Sequence, residues 1–107
     1  MQNPKLQVIL DRVKQELINH YQDALESVIL YGSQARDDAK NSSDIDLLII
    51  LNSLMHPCDE IDETADFITQ VCLDYDVVIS WQFISLEQFQ YQESPFLFNV
   101  KREGILV

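Results

Sequence analysis

Glycine and proline are scarce: two and three in 107 residues, too few for a collagen-like or Pro/Gly-rich low-complexity chain. Cysteine is scarce as well. Cys58 and Cys72 fall in one helical segment, where helical rise separates them by about 21 Å, well beyond the ~7 Å between Cα atoms that a disulfide allows. They read as small buried apolar residues in a reducing compartment. Two histidines and no His/Cys cluster leave zinc without a ligand set. No apolar run approaches the ~20 residues that span a bilayer, and MQNPKLQ lacks the basic and apolar regions of a signal peptide, so a cytoplasmic protein with no membrane contact is expected. The last shortage is positive charge: seven Lys and Arg against 18 Asp and Glu give a net charge of −11. A nucleic acid backbone would be repelled, and a protein partner with a basic interface is the better match.

What is present is an ordinary globular composition, 47% apolar and 9% aromatic, enough for one core. Residues 1–107 are read as a single domain. Leu6, Leu10, Val13, Leu17, Tyr21 and Ala24 recur at spacings of three and four, predicting an amphipathic helix from Lys5 to about Glu26. SVILY (27–31) predicts a buried strand that stops at Gly32. Gly32-Ser33 predicts a tight turn, with a brief helix starting at Gln34–Arg36 and a polar loop over 37–43. Residues 44–51 form a second strand, apolar on both faces after Asp46, as a central strand requires. A helix follows over 59–73. DYDVVISWQF (74–83) alternates and predicts a third strand, with Asp74, Asp76, Ser80 and Gln82 on its polar face. Ser85-Leu-Glu-Gln88 is a capping box and Ser94-Pro95 a second helix start. Gly104 is expected to end that helix in the left-handed conformation, and Ile105-Leu106-Val107 to dock as a last strand.

One stretch resists a structural explanation. In SDIDLLIIL (43–51), Asp44 and Asp46 lie two apart on a strand, hence on one face with Cα atoms roughly 7 Å apart. Like charges held that close beside a dry core repel, and aspartate is disfavoured in strands. A divalent cation removes the conflict: adjacent carboxylates suit Mg²⁺, which keeps several waters and completes its shell with substrate phosphates. Gly32-Ser33 supplies a place for those phosphates, because glycine lets the backbone approach closely, the following helix N-terminus offers unpaired N–H groups and a positive dipole end, and the Ser33 hydroxyl adds a donor. Asp76 is the preferred third carboxylate of a two-ion site, with Asp74 the runner-up. Arg36 could reach a phosphate or pair with a carboxylate. Ser43 is read as capping or orienting the strand's beginning, with a direct part in nucleotide binding the alternative. Tyr31, His20, His56 and Trp81 are read as packing or surface residues.

Gly32-Ser33-Gln34-Ala35-Arg36, a short loop, then Ser43-Asp44-Ile45-Asp46 resembles the minimal nucleotidyltransferases of the DNA polymerase β superfamily. With the third aspartate and REGILV (102–107), the resemblance covers nearly the whole chain. It implies an α/β (α+β) fold of the polymerase β-like nucleotidyltransferase type, a mixed sheet with flanking helices. It also implies Mg²⁺-dependent transfer of AMP from ATP to a hydroxyl, with two ions held by Asp44, Asp46 and Asp76. Gly32 and Ser33 would hold the triphosphate. Such proteins act as antitoxins that attach AMP to a tyrosine of a HEPN-family ribonuclease toxin, so a hetero-oligomer with that toxin is implied. Neutralisation by stoichiometric binding alone and nucleotidyl transfer to a small molecule are the alternatives. Asp37 stands where relatives usually have glycine.

Overall fold

The computed structural model describes residues 4–35, 44–53 and 56–107. Helix α1 (Pro4–Tyr21) leads through a 3₁₀ turn (Gln22–Ala24) into strand β1 (Leu25–Tyr31). Strand β2 (Ile45–Leu51), helix α2 (Pro57–Tyr75), strand β3 (Ile79–Ser85), helices α3 (Leu86–Tyr91) and α4 (Pro95–Glu103), and strand β4 (Ile105–Leu106) follow. The sheet order is β3-β2-β1-β4; β1 runs antiparallel to β2 and β4, and β2 parallel to β3, so the sheet is mixed.

Strand β2 is the central beam. Its alternation splits the core into two layers, as its double-sided apolar pattern predicts. Ile45, Leu47, Ile49 and Leu51 pack with Leu6, Leu10, Val13 and Leu17 of α1 and Ile68 and Val71 of α2. Leu48 and Ile50 pack on the opposite face with Ile29, Ile84, and Leu97 and Val100 of α4. Burying side chains of this size contributes roughly 1.5–3 kcal/mol each.

Several boundaries differ from expectation, for physical reasons. Helix α1 stops at Tyr21 because Gln22 takes a positive φ of 53°, which cannot propagate a right-handed helix. The third strand begins at Ile79 rather than Asp74, and α2 continues through Tyr75. Asp74 is held on the helix by Arg12 at 2.6 Å and by Gln70, one turn earlier, at 2.8 Å. Those contacts outweigh the alternating pattern of 74–78. Asp76 consequently caps α2 in the left-handed conformation (φ 53°, ψ 54°), which aspartate tolerates better than most residues.

Gly104, by contrast, is not left-handed as expected: its φ of −68° and ψ of 151° are extended. A glycine is required there for closeness, since a Cβ would overlap Val100 O and Ile29 Cγ2. The helix starts match their sequence signals. Ser85 Oγ accepts from Gln88 N–H while the Gln88 side chain accepts from Ser85 N–H, and Ser94 Oγ accepts from Leu97 N–H. Cys58 is exposed rather than buried, Cys72 is half-buried, and both are free thiols. Among the described residues no helix is long and apolar enough to cross a membrane.

Candidate active site

Among the described residues, the sheet face under α3 and α4 is covered at one end. Helix α4 and the end of β3 bury Ile29, Leu48 and Ile50. Beyond them the same face turns polar. Register places Tyr31, Asp46 and Ser80 side by side on β1, β2 and β3, with Gln82 one step inward beside Leu48. Asp44 immediately precedes β2, which begins at Ile45 rather than at Asp44, and its charge acts on Asp46. Asp44, Ser80 and Gln82 are exposed, and Tyr31 and Asp46 half-buried.

A hydrogen bond marks the boundary. Gln82 Nε2 donates to the Tyr31 hydroxyl at 3.3 Å, linking β3 to β1 across the intervening β2. Tyr31 is therefore part of this polar end, not simply a packing residue. Its shared parity with Ile29 and its place before Gly32 were the available sequence signals.

The Asp46 carboxylate is electrostatically frustrated. Partial burial, and then the charge of Asp44, push the Asp46 carboxyl above its ordinary value. The Tyr31 phenol is raised first by burial and then by Asp46. Ion pairs among the described residues engage Asp74, Glu63 and Glu103 rather than Asp44 or Asp46. Asp74 is thus committed to Arg12, which, with Gln70, holds its carboxyl below the ordinary range.

Gly32 stands against this pair. Its φ of 77° lies in the left-handed region, and a Cβ there would overlap Asp46 Oδ2. The turn is closed by Ala35 N–H donating to Gly32 O at 3.2 Å. Ser33 is half-buried beside it and Gln34 buried. Residues 33–35 form a turn, so Gln34 and Ala35, where the brief helix is expected to start, are not helical; Arg36, Asp37 and Ser43 lie outside the described residues.

Asp76 is exposed, three residues before β3. Ile45 N–H donates to Val78 O at 2.9 Å, so the chain just after Asp76 runs beside the beginning of β2. That places Asp76 at the same end of the sheet as Asp44, on the β3 side. Among the described residues, no group of three His, Cys, Asp or Glu side chains is gathered closely enough to hold a metal ion. The arrangement brings Asp44 and Asp46 together and leaves Asp76 on the adjoining cap. A cation fits the chemistry of the pair: two neighbouring carboxylates, one raised by burial and then by the other's charge, beside a glycine whose missing side chain keeps the space open.

Residues 12–107 match the family model described as "Polymerase beta, Nucleotidyltransferase". A relative from Methanocaldococcus jannaschii, named "Putative protein adenylyltransferase MJ0604", is 35% identical over 89 residues, which cover 82% of this chain and 83% of the relative. Two solved structures share the fold. "Crystal structure of the toxin-antitoxin with AMP-PNP" superposes with a TM-score of 0.59 at 13% identity, over 88% of this chain and 68% of that one. A mutant form of the toxin–antitoxin pair MntA-HpeT gives 0.56 at 16% identity, over 99% of this chain and 72% of that one.

Proposed function

The chain belongs to the polymerase beta nucleotidyltransferase family, and from that premise we propose that it transfers AMP from ATP to a hydroxyl of a partner protein, a tyrosine of a HEPN ribonuclease toxin, and so acts as that toxin's antitoxin. The observation that carries this reading is the polar end of the sheet, where Asp44, just ahead of β2, acts on Asp46 and the Gly32 backbone abuts Asp46. The names of the relative and of the two neighbours, a protein adenylyltransferase and toxin–antitoxin complexes, agree with it.

In this proposal Gly32 and Ser33 receive the triphosphate, and Arg36 and Ser43 stand in the same motif as further nucleotide contacts. Asp44, Asp46 and Asp76 would hold Mg²⁺, which neutralises the phosphates and the developing charge at the α-phosphate. The acceptor oxygen forms its bond to the α-phosphorus as the bond to pyrophosphate breaks. Asp76, on the β3 side, takes the acceptor's proton at a carboxylate oxygen. ATP labelled at the α-phosphate should mark the toxin, ATP labelled at the γ-phosphate should not, and pyrophosphate should appear in step. Label from the γ position would overturn the reaction type.

The net charge of −11 also supports a second reading, in which the acidic surface neutralises a basic toxin by stoichiometric binding. Under that reading, Asp44→Asn plus Asp46→Asn would neutralise the toxin fully, and binding would weaken steeply with salt.

A further inference from the structure

Beside Gly32, on the side away from β3, lies a cavity of about 240 Å³ lined by Tyr31, Gly32, Phe96, Asn99, Val100 and Glu103. The geometry points to this cavity as the pocket that takes the nucleobase of the donor nucleotide, with Phe96 as the stacking surface and Asn99 as the group that favours adenine. This inference rests on the nucleotide-transfer reading above and specifies where the base goes.

Position is the first argument. The cavity shares Gly32 with the carboxylate pair, since a Cβ on that residue would meet Asp46. In the order β3-β2-β1-β4, the cavity lies at the β1 end of the site, whereas Asp76 leads into β3. Donor and acceptor therefore have opposite sides of Asp44 and Asp46 available to them. A group attached to the phosphates at Gly32 reaches the cavity without crossing the acceptor's side.

Size and lining are the second. Pockets for drug-sized ligands run about 300–1,000 Å³, so this one accommodates one ring system rather than a whole nucleotide. Phe96 and Val100 offer apolar walls, and Glu103 is paired with Arg102 at 3.1 Å. A cavity of this size with apolar walls suits an uncharged planar group. The rings of Tyr31 and Phe96 meet edge to face, 5.3 Å between centroids and 85° between planes, which fixes the Phe96 ring against β1 although 37% of the residue is exposed. Bases stack on such surfaces.

Asn99 supplies discrimination. Its amide carries a donor and an acceptor together, the pattern that matches adenine's N6–H donor and N7 acceptor. Arg102 Nη2 donates to Asn99 Oδ1 at 3.4 Å from the next helical turn, restraining the side chain.

Equilibrium binding of ATP, GTP, CTP, UTP and inorganic tripolyphosphate, in the presence of Mg²⁺, tests this on the whole chain. Phe96→Ala should weaken ATP about tenfold and leave tripolyphosphate within twofold, and Asn99→Ala should reduce the preference for ATP over the other nucleotides. Phe96→Leu, which keeps apolar bulk for folding but removes the ring, should behave like Phe96→Ala. Equal binding of ATP and tripolyphosphate by the unaltered protein, or equal losses for both ligands in the Phe96 variants, would overturn the pocket while sparing the transferase. Unchanged ATP binding with lost transfer to the toxin would assign the cavity to the acceptor and overturn it too. No binding of any triphosphate would sink both the pocket and the reading beneath it.

Discussion

Replacing Gly32 with alanine tests the geometry on which the site depends. Two penalties meet at this residue. The backbone has a φ of 77°, and the new Cβ would overlap Asp46 Oδ2. The left-handed conformation alone costs an L-residue roughly 1–2 kcal/mol, and relieving the overlap means moving either the turn or the carboxylate. At about 4–8 °C per kcal/mol for a domain near this size, the backbone component lowers Tm by roughly 5–15 °C. The effect on chemistry is larger, because a displacement of about 1 Å at a reacting group costs about a hundredfold in rate. A double-mutant cycle separates the two parts. In an Asp46→Ala background the overlap disappears, so Gly32→Ala should there cost only its backbone component, giving a coupling of about 0.5–3 kcal/mol by urea denaturation. A Gly32→Ala protein with unchanged Tm would refute the turn conformation. An identical cost in both backgrounds would refute the contact with Asp46.

Three further outcomes are expected. Asp46 has a raised folded-state carboxyl, so the folded chain binds that proton more tightly than the unfolded chain does, and the carboxyl reduces stability as pH rises from the unfolded value of 3.8 through the raised one. Asp46→Asn should therefore stabilise the metal-free protein at pH 7, by less than about 1 kcal/mol after solvent screening, while abolishing transfer; a loss of stability would contradict the frustration of the pair. Ser94→Ala removes the cap of α4 and should cost about 1 kcal/mol, read as a shift in the urea midpoint. Leu47→Ala, at a position with 0% exposure in the central strand, should cost about 2–5 kcal/mol, and retention of wild-type stability in thermal melts would contradict its place in the core.

The parts of the fold written in local pattern were legible. The double-sided apolar run of β2, the α1 stripe and the two Ser caps each follow from residues close in sequence. Tertiary contacts decided the rest. Asp74 alternates correctly with its neighbours for a strand, yet Arg12, 62 residues earlier, holds it on a helix. Gly104 resembles a left-handed terminator, but its lack of a Cβ serves close packing against Ile29. For the site, Asp44 and Asp46 stood out because a charged pair violates the strand's own rule, and Gly32 because it follows a buried run. Tyr31 did not stand out, since an aromatic at a strand end is ordinary. Phe96 and Asn99 carry no local signal, because only the packing of α4 onto the sheet brings them beside Gly32.

The central claim is that the paired carboxylates drive AMP transfer to a toxin. Incubating the toxin with this protein, ATP and Mg²⁺ and then taking its intact mass tests it most directly. The account predicts an added AMP with the unaltered chain and none with Asp44→Asn plus Asp46→Asn. An unmodified toxin in both cases, or equal modification by both proteins, would contradict it.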